Sequence, residues 1–256
     1  MKRFDSPGAG DFDYEALGAQ YRDQRRADPR IARLIHDALG SAGTVLNVGA
    51  GTGSYEPEDR HVLPIEPSAN MRARRPADRP PAIAGYAEQL PLGDRSVDAS
   101  MAIATVHQWS NLTKGLSELR RVTRGPIIIL TFDGAALRRY WLADYVPELM
   151  DHEARRCPSI ETIRSALGSE TRVSMVPVPA DCTDGFMEAY YGRPERFLEA
   201  DVRRAQSAWG FAAPEVEDRF VDTLSRDLQN GAWDRRYGCL RTLPCFEGSL
   251  RLIIRL

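Results

Sequence analysis

Glycine recurs at alternate positions in Val45-Leu46-Asn47-Val48-Gly49-Ala50-Gly51-Thr52-Gly53, and this is the first stretch of the sequence equipped for chemistry. Glycines directly after an apolar run let the backbone turn tightly and approach a ligand with no side chain between them. The loop suits a nucleotide-like cofactor, and dinucleotide folds use the same device. The nicotinamide fingerprint wants a further glycine where this chain has Ser54. Glu66 ends the next apolar run, where a carboxylate can accept hydrogen bonds from both hydroxyls of a ribose. It follows Gly53 by 13 residues, short of the ~20 of nicotinamide enzymes, which disfavours an oxidoreductase. Further on, Asp98 leads an apolar run into Ala104-Thr105-Val106-His107-Gln108-Trp109. His107, at the end of a central strand where ligands of open sheets gather, reads as a general base or substrate contact. The competing reading is a hydrogen-bonded histidine packed on Trp109.

These residues need elements to hold them. Asp28-Pro29 reads as an N-cap followed by proline at the first helical position, opening a helix with Ile31, Leu34, Ile35 and Leu39 on one face that stops near Gly40. Strands are expected over Thr44 to Val48 and His61 to Ile65, weakly over Ala82 to Tyr86, then from Val97 or Asp98 to Ala104 and over Pro126 to Thr131. Helices are expected around Ala69 to Arg74 and over Leu112 to Val122. The alternation implies an α/β parallel sheet covered on both faces. Beyond it, Gly134 to Met150 reads helical and aromatic-rich, and Ser159 caps a short helix ending at Gly168. Arg172 to Val178 and Ser249 to Ile254 read as strands. The stretch between those two is too long for a bare loop and is expected to carry its own helices. Tyr140, Trp141, Tyr145, Tyr190, Tyr191 and Trp209 either line an apolar pocket or pack inside that cap. Asp133 is a turn cap before Gly134 or a substrate-facing residue. Asp181-Cys182-Thr183-Asp184-Gly185 is turn chemistry or a substrate-facing edge.

Composition sets the outer limits. The 256 residues are 43% apolar and 27% charged, with 34 basic and 36 acidic side chains giving a net charge of −2. That balance lacks the footprint of a nucleic-acid binder. The cluster Arg72, Arg74, Arg75 and Arg79 reads as a solvated helix face. No apolar run approaches the ~20 residues of a membrane span, and Met1 to Gly10 has no apolar signal core. Cys157, Cys182, Cys239 and Cys245 show no metal-ligand spacing and read as free buried thiols in a reducing cytoplasm.

The glycine loop, Glu66, the segment Ala87-Glu88-Gln89-Leu90-Pro91-Leu92 and the Ala104 to Trp109 segment, in this order, resemble the class I S-adenosylmethionine (SAM)-dependent methyltransferases, in their small-molecule UbiE-like (methyltransferase-11) branch. The resemblance covers residues 44–133 and implies a Rossmann-like seven-stranded sheet with an antiparallel last hairpin and helical cap insertions. It implies that Gly49, Ala50, Gly51 and Gly53 lie against the methionine and ribose of SAM, that Glu66 binds the ribose hydroxyls, and that Pro67 and Met71 pack on adenine. It sets Ala87 and Glu88 near the adenine amino group and Ala104, Thr105 and Val106 beside the sulfonium. Tyr14 and Tyr21 fall where relatives close an N-terminal lid, with Tyr21 toward cofactor and Tyr14 toward substrate; the alternative is that both pack on the surface. Asn47 departs from the pattern, which has an acid before the loop; the amide still hydrogen-bonds but lacks the charge. Trp109, Asp133 and the aromatics Tyr140, Trp141, Tyr145, Tyr190 and Tyr191 are the candidate substrate contacts.

The organisation implied is a helical lid over residues 1–43 and a SAM-binding core over 44–180 with a helical insertion at about 134–157. A helical substrate cap then spans 181–240, and 241–256 returns as the last core strand. The expected reaction is methyl transfer to a small-molecule acceptor, leaving S-adenosylhomocysteine (SAH), in the cytoplasm and without nucleic acid or membrane. No Asn-Pro-Pro-Tyr or Asp-Pro-Pro-Tyr quartet marks an amino-methylating DNA enzyme. Asp133 has no acidic partner at Thr105 to His107, so no metal is expected. The alternatives are a SAM-binding protein that transfers no methyl and, more remotely, a nicotinamide-dependent oxidoreductase.

Overall fold

The computed structural model describes residues 24–256, so Tyr14, Tyr21 and most of the expected lid lie outside the described residues. Helix α1 (Pro29–Ala38) opens as its capping pattern predicts: the buried Asp28 carboxylate accepts from the Arg30 N–H at 2.9 Å, and Pro29 takes a position whose N–H would have no partner. Its apolar face, Ile31 and Ile35 with Leu39 just beyond, packs in one cluster with Val45, Met101 and Ile128 of the sheet.

The strands are β1 (Thr44–Val48), β2 (His61–Ile65), β3 (Ala99–Ile103), β4 (Ile127–Phe132), β5 (Thr171–Met175), β6 (Val178–Pro179), β7 (Cys245–Phe246) and β8 (Leu250–Arg255). Six of them form the main sheet in the order β2-β1-β3-β4-β8-β5. β1 to β4 are parallel, while β8 runs antiparallel between β4 and β5. The Ile127-Ile128-Ile129-Leu130 run is buried on both faces, as expected of a central parallel strand. The antiparallel last hairpin of the expected topology is present, but a full strand from Ala82 to Tyr86 is not. It shrinks to one parallel bridge, in which Ile83 donates to Pro64 O at 2.9 Å and accepts from Glu66 N at 3.0 Å. Pro80 and Pro81 directly before it have no N–H for a ladder, which limits its extension.

Helix α2 (Ala69–Ala73) follows β2, and α3 (Leu112–Val122) precedes β4. The helix expected over Gly134 to Met150 is broken into α4 (Gly134–Leu137), a 3₁₀ turn (Trp141–Asp144) and α5 (Pro147–Arg156). Pro147 disfavours helical geometry at Val146, whose φ of −142° ends the preceding turn. α6 (Ile160–Leu167) is capped by Ser159 and stops at Gly168. Between β6 and β7, which pair antiparallel, lie short 3₁₀ turns with α7 (Ala200–Arg204), α8 (Pro214–Gln229) and α9 (Ala232–Tyr237). This stretch and the 134–157 insertion share one core containing Trp141, Tyr191, Phe197, Trp209, Phe220 and Trp233.

One expectation about exposure needs correcting: Cys157 and Cys182 are buried, but Cys239 and Cys245 are exposed. Among the described residues, no helix is long and apolar enough to cross a membrane.

Candidate active site

The three loop glycines all have positive φ, at 71°, 50° and 89° for Gly49, Gly51 and Gly53. At Gly49 the demand is also steric, since a Cβ there would lie 2.1 Å from the Thr105 hydroxyl oxygen. The turn lays the loop over the end of β2: Gly49 N and Ala50 N both donate to Ile65 O, at 2.9 and 3.0 Å. The Glu66 carboxylate accepts from Gly51 N at 2.7 Å through Oε2 and from Ser68 N at 2.8 Å through Oε1. Each oxygen keeps a lone pair, so the carboxylate is held in place and still has room to accept two hydroxyls. Burial pushes the Glu66 carboxyl above its ordinary value, against the opposing pull of the two N–H groups and of Arg72 and Arg75.

No helix or strand spans residues 49–60, where a parallel crossover usually has a helix. Side chains hold the crossover instead. The Arg75 side chain, expected on a solvated face, is buried and pairs with buried Glu56 at 2.7 Å while donating to Gly51 O at 3.2 Å. Arg79 donates to Glu56 O at 2.8 Å, and Arg72 donates to Glu66 O and Pro67 O at 2.8 and 2.6 Å. Arg72, Arg75 and Arg79 therefore brace the glycine loop and the segment after β2 rather than forming a free helix face, while Arg74 donates to Asn70 Oδ1 on its own helix at 2.7 Å.

At the end of β3, Ala104 has a φ of 51°, an uncommon conformation for a residue with a Cβ. Thr105 and His107 follow, and both line the same cavity as Asn47, Gly51 and Glu66. The opposite wall includes Phe186, Met187, Gln206 and Leu250. Asp184 joins the two sides, accepting from the Tyr55 hydroxyl at 2.9 Å and from Arg25 Nε at 2.6 Å. Burial, and next the Asp184 charge, push the Tyr55 hydroxyl well above its ordinary value, so Tyr55 stays a neutral donor.

A methyltransferase-domain family profile matches residues 46–128. Over 126 residues the chain is 31% identical to the ubiquinone/menaquinone biosynthesis C-methyltransferase UbiE of Rubrivivax gelatinosus. That match covers 47% of either protein, so the chain spans about half the length of this curated relative. The crystal structure of a candidate methyltransferase from an antibiotic biosynthesis pathway of Anabaena variabilis aligns with a TM-score of 0.85 at 32% identity, over 92% of this chain and 100% of that one. The chain belongs to the class I SAM-dependent methyltransferases. SAM is accordingly its cofactor. A candidate histamine N-methyltransferase of Thermotoga maritima, at 17% identity and a TM-score of 0.51 over 87% of this chain and 85% of that one, shares the fold.

The residues of this methyltransferase fit the cofactor: the loop lines the cavity at Gly49 and Gly51 with bare backbone, and the Asn47 Oδ1 atom is buried with no partner among the described residues. Of the residues assigned to the cofactor from sequence, Asn47, Gly49, Ala50, Gly51, Glu66, Met71, Ala104 and Thr105 line the cavity, together with His107. Five others do not. Gly53 makes the turn over Glu56, Pro67 accepts from Arg72, and Ala87 and Val106 are buried in the neighbouring core. Glu88 caps the approach to α3 by accepting from Ser110 Oγ and Asn111 N, both at 2.9 Å.

The substrate assignments need more correction. Trp109 packs on α3, where a Cβ at Gly115 would lie 2.5 Å from its ring. Asp133 caps α4 and pairs with Arg251 at 3.1 Å. Tyr140, Trp141, Tyr145, Tyr190 and Tyr191 belong to the cap core instead of the cavity wall; Trp141 stacks edge-on against Tyr145, Phe197 and Trp233. Short helical pieces bury too little surface singly, so their aromatics are used to hold one another. The cavity residues that motif reading missed include Arg25, Tyr55, Met187 and Gln206. Asp184 carried a signal, since it lies in the Asp181 to Gly185 turn already weighed as a substrate edge.

Proposed function

We propose that this methyltransferase acts on a small molecule with an apolar body and one N–H or O–H donor, bound between the strand ends and the cap. The observation carrying the reading is one cavity that runs from the glycine loop and Glu66, past His107, to Phe186, Met187 and Gln206. In this reading residues 181–240, with the insertion at about 134–157, cap a cofactor core formed by 44–180 and 241–256.

Bound SAM supplies a methyl group already activated by its sulfonium, so the protein's task is alignment and exclusion of water. Glu66 accepts the ribose hydroxyls and fixes the cofactor along the loop. Ile103, Leu130, Phe132 and Leu250 give the cavity apolar walls. The Gln206 amide donates from Nε2 to Val202 O at 3.2 Å, and its Oε1 is buried with no partner among the described residues. A flipped amide would set oxygen against oxygen, so Oε1 is the atom left for a donor on the acceptor molecule. His107 would take the proton from a hydroxyl or amine of the acceptor as that atom received the methyl group the cofactor supplies.

The test is SAH formation from SAM with a panel of small phenols, amines and prenylated quinols, followed by His107→Ala with the best acceptor. Turnover is expected to fall about 10²- to 10⁴-fold, with SAH affinity unchanged within about twofold. Unchanged turnover removes His107 as the base, and acceptor-independent SAH formation removes the acceptor reading.

A further inference from the structure

Asn47, Glu56 and Arg75 form a buried cluster of one amide, one carboxylate and one guanidinium beneath the glycine loop. Asn47 Nδ2 donates to Glu56 Oε1 at 2.9 Å, and Arg75 Nη2 pairs with Glu56 Oε2 at 2.7 Å. The Glu56 and Arg75 side chains are 0% and 3% exposed. The contacts reach the loop directly: Arg75 holds Gly51 O, and a Cβ on Gly53 would lie 2.9 Å from Glu56 Oε2. A carboxylate only accepts, so it fixes the Asn47 amide with nitrogen toward Glu56 and Oδ1 away from it. Oδ1 is the atom without a partner among the described residues, on a side chain that lines the cavity.

We propose that Glu56 is the charge-bearing positioning residue of the cofactor loop, acting through Asn47 and Arg75, and that position 47 must be neutral because Glu56 already occupies the charge. Asn47 then presents Oδ1 to the ammonium group of SAM, while Glu56 and Arg75 cancel each other. Glu56, nine residues along the chain, carries the negative charge that position 47 lacks. Restoring it there sets two carboxylates against one guanidinium in a buried site, where an unpaired charge is strongly unfavourable.

The inference rests on SAM being the cofactor, and a charge swap tests it by two readouts: calorimetric titration with SAH and melting of the ligand-free protein. Asn47→Asp and Glu56→Gln each leave one unbalanced charge, and the double variant restores neutrality. Each single variant is expected to bind SAH at least about tenfold more weakly than wild type and to melt lower. The double variant is expected to recover most of both losses. The inference is overturned if Asn47→Asp binds SAH as tightly as wild type, or if the losses of the double variant equal the two single losses combined. Should neither single variant yield folded protein, a folded double variant supports the swap and an unfolded one sinks it. A wild-type protein that did not bind SAH would count against the cofactor, while the melting comparison would still judge the charge pairing.

Discussion

Gly49 and Glu66 sit on the two loops, after β1 and after β2, that hydrogen bonds to Ile65 O and to the Glu66 carboxylate tie together. Burial raises the Glu66 carboxyl above its ordinary value, so its carboxylate form is lost on acidification sooner than that of an exposed glutamate. In the proposed cofactor pose, only the carboxylate form offers acceptors to both ribose hydroxyls. SAH affinity is therefore expected to fall on acidification from a pH above ~4.5, as measured by calorimetry, and this fall should be absent in Glu66→Gln. Both residues were legible in the sequence because the constraint is local: glycine where φ is positive, an acid at the end of the next strand. Glu56, Arg75 and Gln206 were not legible. Their roles come from contacts across 19 residues for Arg75 with Glu56 and from the cap's approach to the sheet for Gln206, and no local pattern encodes either.

Elements follow their punctuation closely where capping chemistry is strong. Asp28-Pro29 opens α1 and Ser159 opens α6 as their residue types require, whereas Pro147 split a helix that apolar content alone made continuous. Asp28 does more than cap: besides Arg30 it accepts from Thr183 N at 3.2 Å, tying α1 to the start of the cap. Burial by itself would raise the Asp28 carboxyl, but the hydrogen bonds from the Arg30 side chain and backbone and from Thr183 hold it down at about 2. The folded value lies below the unfolded one, so this contribution to stability is complete above about pH 4 and is lost as the pH falls through about 2. Asp28→Ala is expected to cost about 1–2 kcal/mol in urea unfolding at neutral pH, with the deficit narrowing as the medium is acidified toward pH 2. A deficit independent of pH would separate Asp28 from this ion pair.

Across the whole molecule, the cap and sheet have distinct apolar cores, but Phe132 and Phe246 pack against both. Glu188 adds a polar tie: it is buried and accepts from Ser249 N at 2.9 Å and from Ser249 Oγ at 2.7 Å, at the start of β8. Shared side chains of this kind couple the two bodies, so one cooperative transition is expected. Three of the four tryptophans, Trp141, Trp209 and Trp233, lie in the cap core, so fluorescence reports mainly on the cap. Urea curves from fluorescence and from far-ultraviolet circular dichroism should coincide. A separate earlier fluorescence transition would show the cap to be an independent unit.

The shrunken third strand bears on how copies of this chain meet one another. An outer strand with free N–H and C=O groups invites a second chain to add to the sheet. β2 has little to offer such a guest: Pro64 has no N–H, its carbonyl is taken by Ile83 N, and Ile83 O holds the N–H of Glu66. The same short bridge that holds the backbone of Glu66 thus also blunts this edge of the sheet against edge-to-edge association.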